Sequence, residues 1–434
     1  MVWTIAVSVI TCLAMIATSL AKPDFRIKRI SINTYWIIPL AGAIILLLSG
    51  LIGFGDIIAG LTADTAINPL KILALFLSMT MMSIFLDEVG LFRFLAAFAL
   101  KRAKASQMSI FIALYLLVSF LTMFTSNDII ILTITPFICY FTKRAKINPL
   151  PYLISSFVAA NTWSMMFIIG NPTNIYLASS MGIDFLAYAK VMYLPTILAG
   201  VASFAVLLLL FHKPLSAPIQ SDVEEVVIKD RFLLIAGIIA LGGCTILLTI
   251  ASYIGIEMYL LTLIFACALI LVVLIYKAIK REKPEEMLTS ARRLPWDLIP
   301  FVIAMFVLVL ALDKHGVTEF ISAFFGDDYP IIKYGVSSFV MSNFINNIPM
   351  SVLYSSVVSY ADGIVTTPAV FASIVGSNVG AFLTPIGALA GMMWMGLLKT
   401  HGVKFSFLRF ITYGALPSIA ALAAALLGLF LVLL

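Results

Sequence analysis

Charge is scarce in this chain. Only 11% of its 434 residues are Asp, Glu, Lys or Arg, and only three are His. An ordinary soluble chain carries about 25% charge. Four cysteines are present, all inside apolar segments and without close spacing, so neither a disulfide scaffold nor a CxxC metal site is expected. No GxxxxGK[ST] loop occurs, which excludes ATP hydrolysis by this chain. No His/Cys/Glu cluster has metal-site spacing, so no enzyme activity, metal or cofactor is expected. What the chain has instead is apolar residues, 62% of the total. One soluble core could not hide that much apolar surface. Long apolar runs predict an all-α polytopic membrane protein, and barrel strands, which alternate polar and apolar, give no such runs.

The apolar segments fall at about 2–21, 35–53, 71–100, 108–142, 151–181, 192–211, 231–251, 256–276, 295–325, 331–360, 368–398 and 408–434. The first has no positively charged region before it and is expected to be a membrane helix rather than a signal peptide. Segments 108–142 and 331–360 carry polar clusters near their middles and are expected to be re-entrant helical hairpins; the other ten would each cross once. Let the sides alternate through ten crossings. Then 22 of the 27 basic residues lie in stretches that share one side, and three lie on the other. The basic side is then cytoplasmic and both termini face out. The net charge of +6 is loop charge of this kind and implies no nucleic acid.

The chain also repeats itself. Leu86/Leu312, Asp87/Asp313, Gly90/Gly316 and Phe94/Phe320 lie 226 apart; Asn127-Asp128 and Asn346-Asn347 lie 219 apart; Pro151/Pro368, Asn161/Asn378 and Gly170/Gly387 lie 217 apart. Five crossings per unit, an odd number, would invert the second unit. The expected organisation is a first repeat at 1–211, a cytoplasmic linker at 212–230 and an inverted second repeat at 231–434. Each repeat carries a hairpin (108–142, 331–360) and a broken helix (151–181, 368–398). Inverted repeats with matched broken helices point to secondary transport, with the site near the midplane.

The candidate site follows from polar groups placed in apolar stretches, where lipid cannot satisfy them. From the hairpins come Ser126, Asn127, Asn346 and Asn347. Asn161 and the break Gly170-Asn171-Pro172-Thr173-Asn174 give Asn161, Asn171, Thr173 and Asn174. The second broken helix gives Ser377, Asn378 and Thr384. Proline and glycine at the breaks free backbone donors and acceptors. Asp128 is the only carboxylate in the central part of either hairpin or broken helix. A buried acid there must be paired, protonated or binding a cation, so Asp128 is the candidate carrier of a coupling proton or sodium ion. A second cluster, Asp87, Glu88 and Arg93, is matched by Asp313, Lys314, His315 and Glu319 where an apolar run breaks and restarts; ion pairs holding a bent helix are expected.

The run Leu86-Asp87-Glu88-Val89-Gly90, the Asn127-Asp128 hairpin with Leu132, Thr133 and Pro136, the Asn346-Asn347-Ile348-Pro349 tip and the Thr384-Pro385-Ile386-Gly387 stretch resemble the arsenite permease (ArsB) and NhaD group of the ion transporter superfamily. The resemblance covers about residues 35–430. It implies a scaffold domain, a transport domain holding the hairpins and broken helices, a homodimer in the plasma (inner) membrane and an elevator-type motion. It implies efflux of arsenite or antimonite in exchange for protons, in some members with a separate ATPase subunit. A hydroxyl- and amide-rich site suits a small neutral polyol-like solute. It also suits an anion held by helix ends, so a sodium-coupled carrier stays open as the alternative: a sodium/proton antiporter or an importer of small carboxylates or inorganic anions.

Overall fold

The computed structural model describes residues 1–21, 24–27, 30–64, 68–102, 106–216, 227–251 and 253–433. Most of the expected linker, at 217–226, and the basic residues Lys22, Lys28, Arg29 and Lys104 lie outside the described residues. The first half runs through α1 (Val2–Ala21), a small antiparallel hairpin of β1 (Asp24–Ile27) and β2 (Ile30–Asn33), α2 (Thr34–Leu48), α3 (Phe54–Thr62), α4 (Pro69–Glu88) and α5 (Leu91–Arg102). It continues with α6 (Gln107–Phe124), α7 (Asn127–Arg144), α8 (Leu150–Trp163), a 3-10 turn at Ile168–Gly170, α9 (Pro172–Ser180) and α10 (Phe185–Leu215). The second half has the same helix order: α11 (Arg231–Leu248), α12 (Met258–Ile279), α13 (Glu285–Arg293), α14 (Leu298–Lys314), α15 (Val317–Phe325), α16 (Pro330–Ile345), α17 (Asn347–Ser359), α18 (Gly363–Gly380), a 3-10 turn at Pro385–Gly387, α19 (Leu389–Thr400) and α20 (Phe407–Leu433).

Among the described residues, nine helical stretches are long and apolar enough to cross a bilayer. The outer surface is apolar as lipid requires: α12 leaves Leu263, Ile264, Leu271 and Ile275 exposed. The apolar stretches 71–100 and 295–325 each fold as two helices. Gly90 (φ +95°) and Gly316 (φ +70°) supply the left-handed residue that ends α4 and α14 and lets α5 and α15 start at a new angle.

Some packing partners exchange between the halves: α2 packs on α14 and α12 on α4, and α7 packs on α19 and α17 on α9. Others match within each half: α6 packs on α8 and α16 on α18. Helices α10 and α20 pack on each other. The α16–α18 crossing is close because Gly376 has no side chain. A Cβ there would lie 2.5 Å from the Gly335 carbonyl oxygen and 2.6 Å from the Phe339 nitrogen.

The paired acidic positions at the ends of α4 and α14 find partners far away in sequence. Asp87 and Glu88 both bind Arg293 of α13, the Asp87 contact at 2.7 Å, whereas Arg93 is exposed. Lys314 pairs with Asp56 of α3. Asp313 accepts from Thr318 and from Ser356 of α17. The expected ion pairs within the local cluster are thus replaced by pairs that tie α13 to α4 and α3 to α14.

Candidate functional site

Each hairpin turns over very few residues. Helices α6 and α7 are joined by Thr125 and Ser126; α16 and α17 are joined by Asn346 alone. Asn346 has φ +73° and ψ 153°, a backbone region favoured by glycine. Its side chain holds it there. Oδ1 accepts from the Ile348 nitrogen at 3.3 Å, and Nδ2 donates to the Ile386 carbonyl at 2.9 Å, inside the second break. Strain at the tip is thereby linked to the geometry of the broken helix beside it.

The breaks themselves are organised by amides. Asn161 and Asn378, 217 apart, use the same device: each donates Nδ2 to the carbonyl four residues back, Phe157 and Ile374, at 2.9 Å. Each then reaches out of its helix. Asn161 Oδ1 accepts from Asn127 Nδ2 at 3.0 Å, which fixes the first hairpin tip. Asn378 Nδ2 donates to Asn174 Oδ1 at 2.6 Å, and its Oδ1 accepts from Asn171 Nδ2 at 2.9 Å and Ser164 Oγ at 3.0 Å. Asn174 also donates to the Ser164 carbonyl at 2.8 Å, and Ser377 donates to Thr173 at 3.1 Å. This buried network joins the two broken helices across the middle of the molecule. In the second break, Thr384 donates to Asn343 Oδ1 at 2.7 Å, and Asn343 Nδ2 donates to the Gly380 carbonyl at 3.1 Å.

A cavity of about 1130 Å³ reaches inward to the first hairpin tip. Thr80, Ser126 and Asp128 lie in its wall. The hydroxyls of Thr80 and Ser126 are buried and have no hydrogen-bond partner among the described residues. Asp128 sits in the first turn of α7, where the helix N-terminus favours negative charge. Tyr35 and Asp297 border the same space. So do four cations, Arg292, Arg293, Lys399 and Lys404, all exposed and drawn from two stretches of the basic side.

The structure therefore divides the expected site residues into three groups. Ser126 and Asp128 face the cavity. Asn127, Asn161, Asn171, Thr173, Asn174, Ser377 and Asn378 are buried and bonded to one another, and none borders the cavity. Asn346 and Thr384 set the second tip and break, while Asn347 is buried beside them with no side-chain hydrogen bond among the described residues. Sequence reasoning missed Thr80, Ser164 and Asn343. Ser164 stands three residues after Asn161 on one helix face, and Asn343 lies in the tip motif, so both had a signal. Thr80 had none: its counterpart 226 further on is Phe306. The candidate residues picked out from the sequence include no cation. The four on the cavity wall are carried there by α13, the end of α19 and the α19–α20 connection.

Residues 4–376 match the family model of CitMHS, described as citrate transporter. The chain belongs to the CitMHS family. It is 26% identical over 404 residues to the arsenical pump membrane protein of Escherichia coli K12, covering 89% of this chain and 91% of that one, in keeping with the resemblance to the ArsB group. The fold is that of two solved transporters. The crystal structure of Alcanivorax borkumensis YdaH matches with a TM-score of 0.54 and 14% identity, over 99% of this chain and 97% of that one. Neisseria gonorrhoeae MtrF, from a class of antimetabolite efflux pumps, matches with a TM-score of 0.52 and 14% identity, over 98% and 94%. The chain is a multi-pass membrane protein and a secondary transporter of the ArsB/CitMHS type, with small solutes or ions as its cargo.

Proposed function

We propose that this transporter expels arsenite or antimonite in exchange for protons. The observation that carries the reading is the convergence of Thr80, Ser126 and Asp128 on one cavity with hydrogen-bonding capacity unused. A metalloid trihydroxide is neutral and presents three hydroxyls, each able to donate and accept. Two partnerless hydroxyls and a carboxylate match that chemistry, and no cysteine borders the cavity to bind the metalloid through sulfur. Asp128 carries the coupling proton: protonated, it donates to the solute; ionised, it accepts from it. A relative named an arsenical pump supports the substrate.

The two halves act as inverted repeats, with hairpins and broken helices forming a transport domain that moves as an elevator against a scaffold. The exchange of packing partners between the halves supports this. The basic face is cytoplasmic and both termini lie outside, which the lysine and arginine bias supports. The working unit is a homodimer in the plasma membrane, and an ATPase subunit joins it if the chain follows the permeases that use one.

A second reading has its own support. The cations Arg292, Arg293, Lys399 and Lys404 on the cavity wall favour an anionic cargo, and the family is described by a tricarboxylate. In it the chain is a sodium-coupled carrier of small carboxylates, with Asp128 as a sodium ligand. Purified protein in proteoliposomes with a trapped pH-sensitive dye separates the two. Arsenite alone collapses an imposed proton gradient if the first holds, and Asp128→Asn abolishes that collapse. If arsenite has no effect and sodium with citrate drives uptake, the second replaces it.

A further inference from the structure

Two voids share α4 and α14, with Phe76 and Leu298 in both walls, and are otherwise bounded by repeat counterparts, α7 and α19 around one and α17 and α9 around the other. The large cavity has in its wall Phe76 of α4, Ile129 and Leu132 of α7, Leu298 of α14, and Leu389 and Met393 of α19. A second void, of about 20 Å³, lies between α4, α9, α14 and α17. The repeat spacings are 226 for α4 and α14, 219 for the hairpins and 217 for the broken helices. They carry those six residues onto Val302, Ile348, Ser351, Ile72, Pro172 and Tyr176. All six line the small void. The spacings were set by other residues, so this coincidence is an independent observation.

We propose that the small void is the closed counterpart of the large cavity: the mouth of the same pathway on the opposite face, shut in this conformation. The proposal rests on reading the chain as a carrier with alternating access. A space of 20 Å³ holds about one water molecule, whereas 1130 Å³ admits a solute with its hydration. Outside the void's wall, two of its helices are clasped. Ser356 Oγ of α17 donates to Asp313 Oδ1 of α14 at 2.7 Å. The matching positions on the open side are Phe137 and Asp87. Phe137 has no donor, and Asp87 is held by Arg293 of α13 instead. The closed wall also contains a group in want of a partner. The Tyr176 hydroxyl is buried and has no hydrogen-bond partner among the described residues, where the open cavity has Met393. Leaving a buried hydroxyl unpaired costs free energy that opening to water or solute recovers. Tyr176 is then a polar contact for a solute on the opposite face, in one wall with Ser351 and Thr173.

Single cysteines test this in a chain whose four native cysteines are changed to alanine. Leu132→Cys and Ser351→Cys are treated with a membrane-impermeant methanethiosulfonate in right-side-out and inverted vesicles. Leu132→Cys is expected to react from the face carrying Arg292, Lys399 and Lys404, and Ser351→Cys from the opposite face only. Imposing a proton or sodium gradient, with arsenite or citrate present, raises one rate severalfold and lowers the other. Ser356→Ala raises the Ser351→Cys rate. Ile348→Cys gives the same readout if the Ser351 variant does not fold. If Ser351→Cys and Ile348→Cys stay silent from both faces while still transporting, the small void is not on the pathway, although the carrier reading survives. If both sides react at once and no solute shows counterflow, the carrier reading fails and takes the inference with it.

Discussion

Asn378→Ala separates residues that hold the broken helices from residues that serve the cavity. Asn378 makes five side-chain hydrogen bonds: to Asn174 Oδ1 at 2.6 Å, to the Ile374 carbonyl at 2.9 Å, to Ser377 Oγ at 3.4 Å, and from Asn171 at 2.9 Å and Ser164 at 3.0 Å. Alanine removes all five, but not all partners are stranded. The Ile374 carbonyl lies inside α18, and Ser164 Oγ can still donate to the Asn161 carbonyl at 2.9 Å. Asn174 Oδ1 and Asn171 Nδ2 are left in a buried place without a partner. At about 1–3 kcal/mol each, that costs roughly 2–6 kcal/mol. Side-chain bonds between membrane helices average about 0.6 kcal/mol, so the three that leave α18, with Asn174, Asn171 and Ser164, give roughly 1.8 kcal/mol. The two figures meet at about 2 kcal/mol. With an unfolding entropy of about 2.1 cal/mol/K per residue, that lowers the melting temperature of this chain by roughly 2 °C. Asn347→Ala, which breaks no side-chain bond, should shift it by less than about 1 °C. The assay is thermal unfolding of both variants in the same detergent. Equal melting temperatures would refute the assignment of the Asn378 network to structure. Asn378→Asp keeps the volume but turns an acceptor toward Asn174 Oδ1, and should be at least as destabilising as alanine.

Asp128→Asn should melt within about 1 °C of the parent, because no hydrogen bond is lost, yet lose the dependence of transport on an imposed pH gradient; retained pH-driven exchange in proteoliposomes would remove the coupling role from this residue. Arg293→Gln strands the Asp87 carboxylate, whose side chain is 1% exposed, and should cost about 3–5 kcal/mol, read as loss of folded protein by size-exclusion chromatography. Lys314→Gln breaks a half-exposed pair with Asp56 and should cost under about 1 kcal/mol in the same measurement. Asn346→Ala gives up both tip bonds while keeping the strained backbone, whereas Asn346→Gly gives up the same bonds and relieves the strain; the glycine variant should retain more transport than the alanine one, and the reverse order would show that backbone strain does not limit the tip.

The membrane class, the helical architecture and the family resemblance were legible in the sequence because each depends on composition or local pattern. Apolar runs need lipid whatever they pack against, and glycines at matched positions end helices wherever the chain then goes. The polar tips and breaks were found for the same reason: an amide in an apolar stretch announces itself. Which of those amides face the cavity was decided by tertiary structure alone. Asn171, Asn174 and Asn378 look alike in sequence to Ser126 and Asp128, but they meet partners about 200 residues away and satisfy one another. Arg293 was read as loop charge and became the partner of Asp87 and Glu88, while Thr80, inside an unremarkable apolar helix, came to border the cavity beside Asp128. A sequence specifies which groups must find partners; only the packing of the two halves decides which pairs form and which groups are left facing open volume.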